Sequence, residues 1–322
     1  MTFVLYRKLL RDVRGPLIAV GLLLFGFGGL WVKVTERVTT QISPLLTLVG
    51  TMTQFGATFF HDLFFRGPGK LIQTFLGGED VKFLDPQDTL AVVAMHPLVQ
   101  VIVCVWAVGR AAGAIAGEID RGTMELLLAQ PVARKKVVLA HFLVDLTVIP
   151  ILCLALLGGV YFGTALVGTF TVDPGVYHAV HMTPPNPLPT YTVDPSVVRP
   201  GLWNMAALLF AVSGYTMWIS AAGRSRNRVL GLAVLVTLIQ FLVNVIGQLW
   251  DGLAVLRPLT VFYYYQPQAI NLKGVWTVDP GLAWFGRPLV SVNVILVLVV
   301  VGAVGYLMAL RTFVRRDVPA PL

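Results

Sequence analysis

Apolar runs of about twenty residues alternate with short basic or Pro- and Gly-rich stretches along the whole chain. Each run is long enough, as a helix, to cross a bilayer core of about 30 Å. Six such runs stand out, at 16–32, 90–116, 137–167, 202–222, 229–250 and 288–310. The third is long, and Pro150 is expected to kink it. Two further stretches are amphipathic. In 1–15, Tyr6, Leu9, Leu10 and Val13 share one helical face and Arg7, Arg11 and Arg14 the other, the pattern of a helix lying flat in a membrane interface. Gly15-Pro16 is expected to end it. In 42–65, Ser43, Thr47, Thr51, Gln54, Thr58 and Asp62 recur every three or four residues opposite Ile42, Leu45, Leu46, Val49, Met52, Phe59 and Leu63. This stretch reads as a second interfacial helix; a true span here would reverse the orientation of everything after it. The expected architecture is an all-α membrane protein, one transmembrane domain over 1–322. It has six transmembrane helices, an N-terminal amphipathic interfacial helix and an extra amphipathic outer helix.

Composition agrees. The chain is 56% hydrophobic and 12% charged, about half the charged fraction of a soluble domain. Its net charge of +8 raises the question of nucleic acid, but the cations flank apolar runs instead of clustering on a soluble fold. About fifteen of the 24 lysines and arginines lie in or beside the termini, 117–136 and 223–228. Cytoplasmic loops of membrane proteins carry that excess, so both termini and 117–136 are expected in the cytoplasm, with 33–89, 168–201 and 251–287 as outer loops of a cell-membrane protein. The first apolar run lacks a small-residue cleavage site and reads as a retained span. Cys104 and Cys153 lie inside apolar runs and suggest neither a disulfide framework nor a metal site.

The stretch 117–136 interrupts the apolar pattern most sharply. Gly122 lets the chain turn, Thr123 is placed to cap a helix, and Glu125 falls in its first turn, where a negative charge suits the helix dipole. Leu126, Leu127 and Leu128 follow, and Pro131 ends the helix. So short a helix is not stable alone, and its leucines need cover. They fold back onto the chain's own helices or dock into a partner's groove.

Glu118, Gly122-Thr123, Glu125, Leu127-Leu128, Pro131-Val132 and Arg134 reproduce the pattern Glu-x-x-x-Gly-Thr-x-Glu-x-Leu-Leu followed by Pro-Val-x-Arg. This resembles the first cytoplasmic loop of ABC-2-type transporter permeases, with the same apolar flanks. The resemblance implies the transmembrane subunit of an ABC transporter, an exporter more than an importer. In that family the loop presses on a separate ATPase subunit. Glu118, Arg121, Gly122, Thr123, Glu125, Leu126, Leu127, Leu128, Pro131 and Arg134 would then form the coupling site. The implied partners are an ABC ATPase subunit, a second permease subunit and the bilayer, with no nucleic acid. The chain carries no Gly-x-x-x-x-Gly-Lys-Ser/Thr loop, so ATP would be bound by the partner and no cofactor by this chain. It has neither His-Glu-x-x-His nor Gly-x-Ser-x-Gly, and is expected not to be an enzyme.

Other polar residues invite two readings each. Gln240, Asn244 and Gln248, one turn apart on the fifth span after Thr237, are interhelical hydrogen-bond partners or line a substrate path or dimer seam. Asp145, four residues after His141 in the third span, is a structural partner of Arg110 or Arg134, or a gate or proton-linked site on the same path. Arg110 is otherwise expected to snorkel toward headgroups. The 168–201 stretch reads as an extended polyproline-like loop. His178 and His181 within it offer two metal ligands without a third. A rival class is therefore a membrane-embedded enzyme using Asp145 and the histidines, and another is a non-transporting anchor or signalling subunit for an ATPase. Tyr263-Tyr264-Tyr265 and Trp250 read as interfacial anchors. Thr-Val-Asp-Pro occurs three times, at Thr171, Thr192 and Thr277, and is expected to form turns.

Overall fold

The computed structural model describes residues 2–52, 85–130, 132–281, 283–284, 287–288 and 291–316. The part of the expected outer helix beyond Met52 lies outside the described residues, as does Pro131. The helices are α1 (Thr2–Arg37), α2 (Ser43–Met52), α3 (Pro86–Ala91), α4 (Pro97–Ala112), α5 (Ala116–Asp120) and α6 (Thr123–Leu128). They continue with α7 (Arg134–Val167), α8 (Pro174–Ala179), α9 (Arg199–Ala222), α10 (Arg226–Leu249), α11 (Pro267–Lys273) and α12 (Val294–Arg315). Among the described residues, five helical segments are long and apolar enough to cross a membrane: Phe3–Leu45, Arg134–Val167, Pro195–Ala222, Arg226–Leu249 and Val294–Arg315.

The expected break at Gly15-Pro16 is absent. α1 runs through Pro16, because proline's fixed φ is helical and forfeits only one backbone bond, which the rest of a long helix outweighs. The residues expected to lie flat in an interface instead open the first long helix. Tyr6, Leu9, Leu10 and Val13 pack on the core, and the Tyr6 hydroxyl meets Thr147 Oγ1 of α7 at 2.9 Å. At its other end α1 does not stop near Val32 but passes through a π-helical turn, Val38–Ile42, into α2.

The second apolar run, 90–116, is broken into pieces. His96 precedes Pro97, which disfavours the helical conformation at His96; His96 is extended, with ψ of 133°, and its ring accepts from Leu98 N. What remains is α4, an apolar helix of 16 residues, about 24 Å long. α7 continues unbroken through Pro150, and the last long helix begins at Val294, after the strand pair Thr277–Val278 and Val292–Asn293.

α1 packs along α7 and α9 along α12, backbone against backbone. A Cβ built on Gly159 would collide with the Phe25 carbonyl oxygen, and one on Gly214 with that of Gly302. Only glycine admits such approach, which is how apolar helices associate tightly where no water drives them together.

The 168–201 stretch is folded, not extended. Strands β1 (Phe170–Thr171) and β2 (Thr190–Tyr191) pair antiparallel, and α8, capped by Asp173, lies in the connection between them. All three Thr-Val-Asp-Pro motifs do form turns: Asp173, Asp194 and Asp279 accept from the backbone N–H two residues on, at 2.8, 2.8 and 2.9 Å. After α10 the chain folds back in two short 3-10 helices, Asp251–Leu259 and Val261–Tyr264, and then α11. Asn204 of α9 holds this segment by accepting from Gln266 N at 2.7 Å and donating to the Tyr264 carbonyl at 2.9 Å. Tyr265 is therefore a buried core residue and not an interfacial anchor; its hydroxyl donates to the Ala94 carbonyl.

Candidate coupling site

The wedge at 113–133 hangs between the ends of α4 and α7. Ser220, buried on α9, pins its root. Its Oγ accepts from Ile115 N and Ala116 N at 3.2 and 3.1 Å and donates to the Ala112 carbonyl at 3.0 Å. The short α5 follows, and Asp120 Oδ2 accepts from Arg226 N at the start of α10.

Gly122 makes the turn, with φ of 70° and ψ of 1°, a left-handed conformation that glycine adopts without strain. Thr123 does not cap α6: Gly122 occupies the cap position, and no side-chain cap bond forms. The Thr123 hydroxyl instead donates to Glu118, to the carboxylate at 2.5 Å and the carbonyl at 3.2 Å. The other carboxylate oxygen of Glu118 pairs with Arg121 at 2.5 Å. The spacing of Glu118, Arg121 and Thr123 is thus a small ring of polar contacts bracing the turn. The Glu118–Arg121 pair is too exposed to add much stability, but it fixes the direction in which α6 leaves.

α6 sorts its apolar residues by helical period. Met124, 1% exposed, is buried in a cluster with Ala114, Ile115, Val137, Val138 and Phe313 among others. Leu127 and Leu128, three and four residues on, share that face and pack partly against the same cluster. Leu126 points the other way and is 71% exposed. The three leucines therefore divide: two lean on the chain's own helices, and one is presented outward beside half-buried Glu125. The buried anchor is Met124, which the sequence pattern did not single out.

At the exit of the wedge, Arg134 opens α7 and donates to the Arg316 carbonyl at the end of α12. Arg316 in turn donates to the carbonyls of Ala221 and Gly223 at 2.9 and 2.8 Å, satisfying the end of α9. The wedge is therefore bonded to the ends of both α9 and α12.

Just inside the bundle, Arg110 of α4 pairs with Asp145 of α7, and the Tyr306 hydroxyl of α12 donates to the same carboxylate oxygen. The two charged side chains are 6% and 1% exposed, so Arg110 turns inward instead of snorkelling: an unpaired buried carboxylate is too costly to leave. His141 lies beside them, its carbonyl 3.4 Å from Arg110 Nη2. Rings of Phe142, Phe210 and Tyr306 pack around this cluster, with centroids 5.2 to 6.0 Å apart.

The polar stripe of α10 bonds elsewhere. Thr237 meets Tyr215 of α9 at 2.6 Å. Gln240 accepts from Val261 N at 3.2 Å, and Asn244 accepts from Arg257 Nε at 3.3 Å. Gln248 is half-buried. His178 and His181 are exposed at the end of α8, far in sequence and fold from Asp145.

Long apolar helices joined by a braced, partly exposed wedge define a multi-pass membrane protein. The chain belongs to the ABC-2 family of transporter proteins, whose sequence pattern matches residues 32–318. It is a membrane transport subunit, a permease, of that class. No curated protein matches it significantly.

Proposed function

We propose that this permease is driven from outside itself, by an ATP-hydrolysing subunit that docks on α6 and presses the wedge toward the membrane. The observation that carries the reading is the division of α6: Met124 is sunk in the bundle while Leu126 is presented to solvent at the tip. An apolar side chain held out by a short braced helix is what a partner groove requires. Glu118, Arg121, Glu125 and Arg134 lie on the same stretch of chain and would set register by charge. ATP would remain with the partner. The excess of basic residues at the wedge end supports a cytoplasmic wedge and cytoplasmic termini. Two copies of the chain would pair, with Gln240, Asn244, Gln248 and Asp145 near the path or seam, and the family resemblance favours export.

Leu126→Asp tests this. The variant is expected to insert and fold with stability within about 0.5 kcal/mol of the parent, since the site is exposed, yet to lose binding and stimulation of the ATPase subunit in proteoliposomes. Normal stimulation by this variant would remove α6 from the mechanism.

A further inference from the structure

Arg110 and Asp145 stand on the two helices that carry the wedge, α4 before it and α7 after it. Their contact is only half of what it is able to be. Arg110 reaches Asp145 Oδ2 through Nη2 alone, and Oδ2 also takes the Tyr306 hydroxyl. Arg110 Nε and Asp145 Oδ1 are both buried and have no hydrogen-bond partner among the described residues. The Nε–H and Nη2–H of a guanidinium point to the same side and form a fork that matches the two oxygens of one carboxylate. The idle donor and the idle acceptor are therefore the missing half of a single side-on pair. In an apolar interior each idle group is unfavourable, which favours a position in which the fork closes, while the Tyr306 hydroxyl competes for the carboxylate in the open one. The seam permits adjustment: α4 reaches α7 here through the long Arg110 side chain, to Asp145 and to the His141 carbonyl, in contrast to the glycine-to-backbone contacts of α1 with α7.

We propose that Arg110, Asp145 and Tyr306 are positioning residues that form a two-setting latch across the arms of the wedge. In one setting Arg110 holds Asp145 by one prong and Tyr306 shares the oxygen. In the other, a small rotation of α4 against α7 closes the fork. Pressure on α6 exchanges the two, and Tyr306 passes the change to α12. The role in coupling rests on the ATPase-driven reading above; the two settings do not.

The full chain, reconstituted in lipid nanodiscs with ¹⁵N-arginine, provides the test. The Arg110 Nε–H resonance is assigned by its loss in Arg110→Lys. Two resonances are expected for it, one hydrogen-bonded. Tyr306→Phe, which frees Oδ2 from a competing donor, is expected to raise the bonded population about twofold or more. A single Arg110 Nε–H resonance, unmoved by Tyr306→Phe, overturns the latch. In the complex with its ATPase subunit, Arg110→Lys keeps the charge but cannot fork. It is expected to bind that subunit normally while stimulated hydrolysis falls about tenfold. Unchanged stimulation overturns the latch and leaves the coupling reading standing. A wild-type chain that neither binds nor stimulates the ATPase overturns the coupling reading instead.

Discussion

The bundle joins its helices in two different ways. α1 with α7, and α9 with α12, meet backbone to backbone at glycines. α4, which leads into the wedge, meets α7 through one buried ion pair, whose carboxylate also takes the Tyr306 hydroxyl of α12. Glycine contacts have one geometry and no slack, because nothing lies between the backbones to rearrange. A contact made through long side chains can re-form in another rotamer. The first kind of joint leaves no room for adjustment and the second does, and the second is the one that joins the two helices flanking the wedge.

Disrupting the polar joint has the largest expected effect. Asp145→Ala leaves Arg110 buried without its partner and is expected to cost about 4 kcal/mol, read as a large loss of thermal stability in detergent. Replacing both partners, Arg110→Met with Asp145→Leu, is expected to restore most of that loss, since a buried pair contributes little over an apolar pair of like volume. If the double variant is as unstable as the single, the joint is not a replaceable side-chain contact. The glycine joint should respond differently. Gly159→Val is expected to cost about 3 kcal/mol, and trimming Phe25 to Ala should not rescue it, because the clash is with the Phe25 carbonyl oxygen and not its ring. Rescue there would erase the distinction. The smallest effect belongs to the brace of the wedge. Thr123→Val removes the hydroxyl that ties α6 to Glu118 and is expected to cost about 1 kcal/mol, detected as faster hydrogen exchange confined to 117–128.

The far end of the bundle shows how the same sequence signals are read differently. Asp-Pro dipeptides fold locally, and each formed the expected turn. Tyr265 carries the same local signal as Tyr263 and Tyr264, yet it is the one that is fully buried, donating to the Ala94 carbonyl. The stripe of Gln240 and Asn244 was legible as a polar face, but its partners, Val261 N and Arg257, were not. They belong to a segment that had to fold back before the stripe had anything to bind.

The long apolar helices, the basic loops between them, the turn at Gly122 and the short helix after it were all determined by the sequence alone, because each depends on residues within a few turns of one another. Tertiary structure alone decided which face is covered, that Met124 is the anchor, and that Ser220, Arg316 and Tyr306 tie the wedge to α9 and α12. It also decided that α1 outruns Pro16, since the packing of its first turns on α7 outweighs a single missing backbone bond. Those outcomes depend on groups brought together from distant parts of the chain, and no local pattern records which distant groups will meet.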